Sequence, residues 1–413
     1  MRIGIVGAGA SGMAAAIEAA RCGAQVTLFE RNTDPGKKLL STGNGRCNLT
    51  NTRMGSFAYY CSLPSFVDSV LARFGAEDTI AFFRELGLFT HDREGYVYPL
   101  SDSAAAVLKC LVLGLRKAGA RLLTEALVKD VKQVSDGYEL TFTREGETRV
   151  ERFDRVILSC GGMAVPKTGS DGKGYYILSK LGVLCNPPTP ALCALYVKKP
   201  LEKAAGVRAA GRVSLWSDRV CLGSDAGEIQ LTDYGISGIP VFTVSRYAAI
   251  ATEGGRYVEA RIDFLPEVSE EEWQAEFDRR VTSAAGESAL ELLSGVLHEK
   301  LLRCALEDAG LDPERQVSAP SEETIAKLRE AWKLLRYRSF RVLHAADFAH
   351  AQTSTGGVSL SEVSEDLELR YCPGLFLTGE MLDVDGICGG YNLQFAWSTG
   401  ILAGRKAAEG GSK

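Results

Sequence analysis

At 413 residues the chain exceeds the length at which a single hydrophobic core stops growing, so two or three domains are expected. With 46% hydrophobic and 24% charged residues it is composed as a globular protein, which argues against disorder. A net charge of -5 gives no reason to expect nucleic acid or an anionic membrane as partner.

The 11 cysteines are scattered, with no CxxC and no zinc-spaced Cys/His cluster, so they read as reduced thiols of a cytoplasmic protein. His91, His298, His344 and His350 are too few and too dispersed for a metal site. Arg2 followed by a small apolar run imitates a signal peptide, but Gly4, Gly7, Gly9, Gly12 and then Glu18 interrupt it. No uninterrupted apolar stretch approaches the ~20 residues of a membrane span.

In chain order, "MRIGIV" reads as a buried parallel strand and "SGMAAAIEAARC" as a helix with Gly23 at its C-terminal cap. "QVTLFE" is a second strand ending on Glu30, which completes a βαβ unit. Two short amphipathic helices are expected between Pro64 and Gly87. A third, "SDSAAAVLKCLVLGLRKAG", is expected to open with Ser101 or Asp102 as N-cap. From about Arg121 to Cys160 a meander follows, with turns at Asp136-Gly137 and Glu145-Gly146, and it ends in the strand "RVILSCGG". Residues 191–266 read as a strand-rich insert. Residues 267–339 read as a helical subdomain that includes one long helix, "SALELLSGVLHEKLLRCALEDAG". Residues 340–413 bring back a strand, "GLFLTGE", and a last helix, "NLQFAWSTGILAGRKAAE". The predicted fold is α/β: a nucleotide-binding domain, 1–190 and 340–413, interrupted by the strand-rich insert, 191–266, and the helices, 267–339.

Gly7-Ala8-Gly9-Ala10-Ser11-Gly12 is a GxGxxG placed after a strand and at a helix start. Gly7 permits the tight turn, Gly9 lets backbone approach a pyrophosphate, and Gly12 allows close helix–strand packing. The helix N-terminus adds free N–H groups and a positive dipole end. Glu30, with Arg31 beside it, stands about twenty residues on, where a carboxylate accepts hydrogen bonds from a ribose diol. At the other end, the strand "LFLT" runs into Gly379-Glu380. Asp383 or Asp385 is then positioned to bond a ribityl or diphosphate-linked hydroxyl, and Gly389-Gly390-Tyr391-Asn392 opens the last helix. Two glycines there allow a planar isoalloxazine to rest on backbone, with the helix dipole favouring negative charge on the reduced ring. Gly161 follows the third strand. The loop carrying Lys38, Gly43, Asn44, Arg46 and Asn48 crowds donors where phosphate or flavin-edge contacts would form. Cys47 within it has no neighbouring cysteine in sequence and reads as a bystander.

The blocks "GAGASG", "GNGRCNLTN", "GGMAVPKTGSDGKGY", "AQTSTGGVSLSEV" and "LFLTGEMLDVDGICGGYNLQFAWSTG" closely resemble the BaiN-like bacterial flavoproteins, also called the aminoacetone oxidase family. The resemblance runs over nearly the whole chain and implies a Rossmann-like FAD-binding domain interrupted by a barrel-containing insert, barrel-like over 191–266, and a helical subdomain. It implies that Ser11, Glu30, Lys38, Gly43, Asn44, Asn48, Val128, Asp385 and Asn392 lie near FAD. One departure stands out: where many relatives carry Phe-Thr-His before Ser-Gly-Pro, this chain has "LTDYGISGIP", with Asp233 at the histidine position.

No second GxGxxG occurs, so NAD(P)H is expected as a transient co-substrate without a domain of its own. The resemblance implies reduction of a carbon–carbon double bond conjugated to a ketone, of the 3-oxo-4,6-diene bile-acid type. Oxidation of a small aminoketone, or a flavin-binding redox sensor without turnover, are the alternatives. The expected partner is a small apolar or amphipathic substrate, with no nucleic acid, no membrane span and no metal; the catalytic residues are not identifiable from sequence.

Overall fold

Five parallel strands form the central sheet of a computed structural model that describes residues 1–318 and 320–410. Their order is Leu375–Leu377, Arg155–Leu158, Arg2–Val6, Gln25–Phe29 and Arg121–Leu123, each neighbour paired in parallel. The strands are short and apolar because both faces are covered: Ile3, Ile5, Leu28, Ile157, Leu158, Leu375 and Leu377 are fully buried. A strand from residue 375 onward therefore completes a sheet begun at residue 2. All five carboxyl ends lie at one edge, where open α/β sheets bind ligands.

The first helix, Ala10–Arg21, and the last, Tyr391–Ala408, pack against each other through glycines. A Cβ at Gly400 would stand 2.3 Å from the Ser11 carbonyl oxygen, and one at Gly404 would stand 2.6 Å from that of Ala15. Only glycine permits so close a crossing. A three-stranded antiparallel meander, Leu127–Val134, Gly137–Arg144 and Glu147–Phe153, covers the sheet through Phe142 and Phe153, whose rings pack on Phe29.

The chain divides into two units, Met1–Pro190 with Phe348–Lys413, and Ala191–Asp347. The second holds a closed six-stranded barrel, in the order Leu195–Val197, Gly235–Ser237, Val220–Leu231, Arg208–Ser217, Val258–Asp263 and Tyr337–Ala345. Four helices, from Glu270 to Arg336, are inserted between two adjacent barrel strands. They have a core of their own, centred on Trp273 and Trp332 stacked at 3.8 Å. The fold class is thus a Rossmann-type domain interrupted by a barrel and helices.

Three local expectations need correction. Residues 340–347, expected with the nucleotide-binding segment, belong to the barrel unit, because Tyr337–Ala345 is the strand that closes the barrel. The single helix expected across 288–310 is two, Ala289–Leu293 and Glu299–Asp308. Gly295 at φ +83° turns the chain between them, and His298 caps the second by accepting from the Lys300 N–H. The helix after the hairpin starts at Ala104 with Ser103 as N-cap, not Ser101 or Asp102; Asp102 sits in the left-handed region at φ +47°. Among the described residues no helix is long and apolar enough to cross a membrane.

Candidate active site

At the carboxyl edge of the sheet the strands ending at Val6, Phe29, Leu158 and Leu377 turn into glycine-containing loops. Gly7 is at φ +101°, and a Cβ there would lie 2.4 Å from the Ser159 carbonyl oxygen; at Gly12 it would lie 1.9 Å from the Gly7 carbonyl oxygen. Protein packing alone therefore requires both glycines. Gly9 differs: a Cβ there would meet nothing within 4 Å, and its φ of -84° suits any residue. The open space beside Gly9, at the head of a twelve-residue helix, is where a pyrophosphate would sit.

Glu30 closes the second strand and is 7% exposed. Its Oε2 accepts from the Ala8 N–H at 3.0 Å, and its Oε1 accepts from Asn32 N and Nδ2, both at 2.8 Å. A carboxylate offers about four acceptor sites, so Glu30 buttresses the glycine turn and keeps capacity for one further donor. Arg31 turns away from Glu30 and donates to Asp171 at 2.5 Å. Burial opposes ionisation of Asp171, but the Arg31 guanidinium and the Lys173 ammonium outweigh it and hold the carboxyl below its ordinary range.

Lys38 and Glu380, 342 residues apart, form an ion pair at 2.6 Å. The other Glu380 oxygen accepts from the Thr353 hydroxyl, and Tyr175 donates to the Glu380 carbonyl. Gly161, at φ +75°, faces the same cluster: a Cβ there would stand 2.8 Å from Ser170 Oγ and 3.9 Å from Glu380 Oε2. Ser11 is buried under Gly379, which ties the first turn to the last strand.

Gly389 and Gly390 are at φ +125° and +91°. A Cβ at Gly389 would lie 2.8 Å from Tyr96 Cε1, and one at Gly390 would lie 2.7 Å from the Thr50 carbonyl group. These glycines are fixed by the protein itself. Asn392 locks the turn through its amide, which accepts from Gly386 N and donates to Gly386 O, both at 2.8 Å. The segment after the Gly43-Asn44 turn is fastened to this helix: Thr50 donates to Gln394, Trp397 Nε1 donates to Leu49 O at 3.0 Å, and Asn51 donates to Gly389 O at 3.1 Å. Asn48, with its amide turned to satisfy its neighbours, donates to Val97 O and Thr50 O and accepts from Gly390 N. Gly43 and Asn44 both adopt left-handed backbone, and Arg46 stands exposed beside them.

The structure thus brings Ser11, Lys38, Gly161 and Glu380 together, and it joins Asn48 to Gly390. Val128 is a buried residue at a bulge in the meander, and Ala126, two residues before it, donates to Glu30 O. Of the two aspartates, Asp383 is occupied by Gly356 N and Asn186, and Asp385 is 1% exposed in a strand paired with Tyr59–Cys61. Cys47 is fully buried at φ +60°, and burial pushes its thiol up to about 12. Thr353 and Asn32 went unnoticed in the sequence. Asn32 was within reach of inspection, two residues after Glu30; nothing local marks Thr353.

The parallel sheet, the glycine turn at its carboxyl edge and the carboxylate on the second strand define a Rossmann-type dinucleotide fold. Residues 1–406 match the HI0933-like protein Rossmann domain family, and the chain belongs to that family. It is 44% identical to the 3-dehydro-bile acid delta(4,6)-reductase of Clostridium scindens, over 99% of both chains. It is 28% identical to the ribosomal RNA dihydrouridine synthase of Escherichia coli, over 96% of this chain and 95% of that one. Among solved structures, 3-ketosteroid delta1-dehydrogenase from Sterolibacterium denitrificans superimposes with a TM-score of 0.52 at 12% identity, covering 98% and 99% of the two chains, which shows a shared fold. The chain is an oxidoreductase.

Proposed function

We propose that the chain is an FAD-dependent reductase of a carbon–carbon double bond conjugated to a ketone, of the 3-oxo-4,6-diene bile-acid type, with NAD(P)H as electron source. The observation that carries the cofactor is Gly9. Nothing in the protein crowds it, and the open space beside it at the helix head suits a pyrophosphate drawn close to the backbone. Gly7 to Gly12 and the first helix would hold the pyrophosphate, Glu30 the ribose, and the Gly389-Gly390 turn with the last helix the isoalloxazine. Lys38, Gly43, Asn44, Asn48, Gly161, Glu380, Asp385 and Asn392 belong to the same reading as shell or support.

Bound FAD, once reduced, supplies a hydride to the electrophilic alkene carbon. The protein's part is to hold the planar ring on backbone, to stabilise negative charge at the helix N-terminus, and to deliver a proton to the substrate. Support for the substrate class comes from the 44% relative named as a bile-acid reductase. The dihydrouridine synthases fit the same chemistry, because dihydrouridine differs from uridine by two hydrogens across an alkene conjugated to a carbonyl.

The test is anaerobic. The protein should purify yellow and release FAD on denaturation. Mixed with NADH or NADPH and a 3-oxo-4,6-diene bile acid, it should abolish the dienone absorbance. If the dienone persists while aminoacetone bleaches the oxidised flavin, amine oxidation replaces this reading.

A further inference from the structure

The strand Tyr96–Pro99 pairs with Thr90–Arg93 on one side and Thr50–Asn51 on the other. Val97 between the tyrosines is buried, so Tyr96 and Tyr98 project together from the opposite face. Each lies against one of the two later glycine turns. Tyr96 Cε1 stands 2.8 Å from where a Cβ of Gly389 would be, and Tyr98 Cε1 stands 3.9 Å from that of Gly43.

Tyr98 is supported from behind. His91 is its cross-strand partner, and the two rings stack at 6.1 Å and 28°. Nε2 of His91 meets Asp102 Oδ1 at 3.1 Å, and Arg93 donates to the other Asp102 oxygen at 2.6 Å. Asp102 takes up this position with left-handed backbone, uncommon for a residue that is not glycine. Asp102, His91 and Tyr98 thus form a series that ends at the Gly43 turn.

We propose that Tyr98 is the proton donor of the reduction, with His91 and Asp102 as its positioning residues. This rests on the reaction and the cofactor placement given under Proposed function. Hydride addition to the terminal alkene carbon leaves the substrate's π electrons as an enolate. The Tyr98 O–H bond breaks, its proton forms the new C–H bond on the neighbouring carbon, and the phenolate recovers a proton from water. The surroundings suit such an acid. Burial raises the Tyr98 hydroxyl above its ordinary range, Tyr96 and Asp102 push the same way, and Arg46 and Arg93 oppose. The phenol is therefore protonated at neutral pH, and the two guanidinium groups are at hand to stabilise the phenolate once it forms.

The experiment uses the FAD-loaded enzyme and Tyr98→Phe, Tyr96→Phe, His91→Ala and His91→Phe variants. The first readout needs no turnover: the visible spectrum of bound flavin is followed from pH 7 to about 12. Ionisation of the flavin's own ring N–H is common to all variants; a second spectral step should appear in the wild type and in Tyr96→Phe and vanish in Tyr98→Phe. The second is a single anaerobic turnover of pre-reduced enzyme with the dienone. Tyr98→Phe should slow product formation by about 100-fold or more, with dienone affinity unchanged. His91→Ala should lower kcat about tenfold with KM unchanged, and His91→Phe, which keeps the ring stack, should recover most of the loss. Turnover of Tyr98→Phe within threefold of wild type overturns the proposal. A wild type that reduces no conjugated enone overturns the reaction and the donor role together, while the spectral step still decides whether the phenol lies beside the flavin.

Discussion

The two glycine turns that open the first and last helices look alike in sequence and differ in what they require. At Gly389 and Gly390 a side chain would strike Tyr96 or the Thr50 backbone, and both residues sit at positive φ. At Gly9 a side chain would strike nothing, and the backbone is extended. Gly389 and Gly390 are fixed by their own protein; Gly9, with ordinary φ and open space at a helix head, is not, and on the proposed function that space belongs to the ligand. The sequence reading assigned Gly390 to flavin clearance, whereas the structure gives it a prior duty within the fold.

That contrast is open to direct attack, and Gly390→Val has the largest expected effect. Positive φ and a crowded Cβ each cost ~1–3 kcal/mol, so urea unfolding should show a loss of roughly 2–6 kcal/mol whether or not FAD is present. Gly9→Ala is the counterpart. Protein stability should change by under ~1 kcal/mol, while FAD affinity, read by flavin release, falls by ~1–3 kcal/mol because the new methyl group occupies pyrophosphate space. Equal losses of stability in the two variants would erase the distinction.

The smallest effect concerns Asp171, whose tie to Arg31 secures the loop after Gly161 to the end of the second strand. Arg31 and Lys173 hold its folded-state value below the ordinary carboxylate range despite burial. The stability it contributes is therefore present above about pH 4 and lost as pH falls through the lower folded value. Asp171→Asn should lower stability slightly at neutral pH, and the difference from wild type should close on acidification. A gap that persists at pH 2 would mean that packing, not charge, is at stake.

Much of the fold was legible because its signals are local. The alternation of apolar runs with turn residues placed the first βαβ unit, the meander and the helix Tyr391–Ala408. Helix continuity failed at 294–298, where a leucine-rich run masks a glycine turn. Barrel closure was not legible either, since Tyr337–Ala345 finds its partners across the four helices. In the candidate site the glycines were readable, but their separate reasons were not: clash or emptiness around a missing Cβ is a property of neighbours distant in sequence. The Lys38–Glu380 pair, completed by Thr353, is the extreme case, because no spacing rule links residues so far apart.

The close crossing at Gly400 and Gly404 has a consequence for biosynthesis. The helix that seats against Ser11 and Ala15 leaves the ribosome long after they do. At about 5–20 residues per second, the glycine turn at Gly7 to Gly12 would wait roughly 20–80 s for its partner. During that interval the emerging chain has half a binding site and a sheet with an open edge where Leu375–Leu377 belongs. On the proposed function, cofactor loading is thereby postponed until that helix has been made, and the unpaired sheet edge stays exposed to association until then.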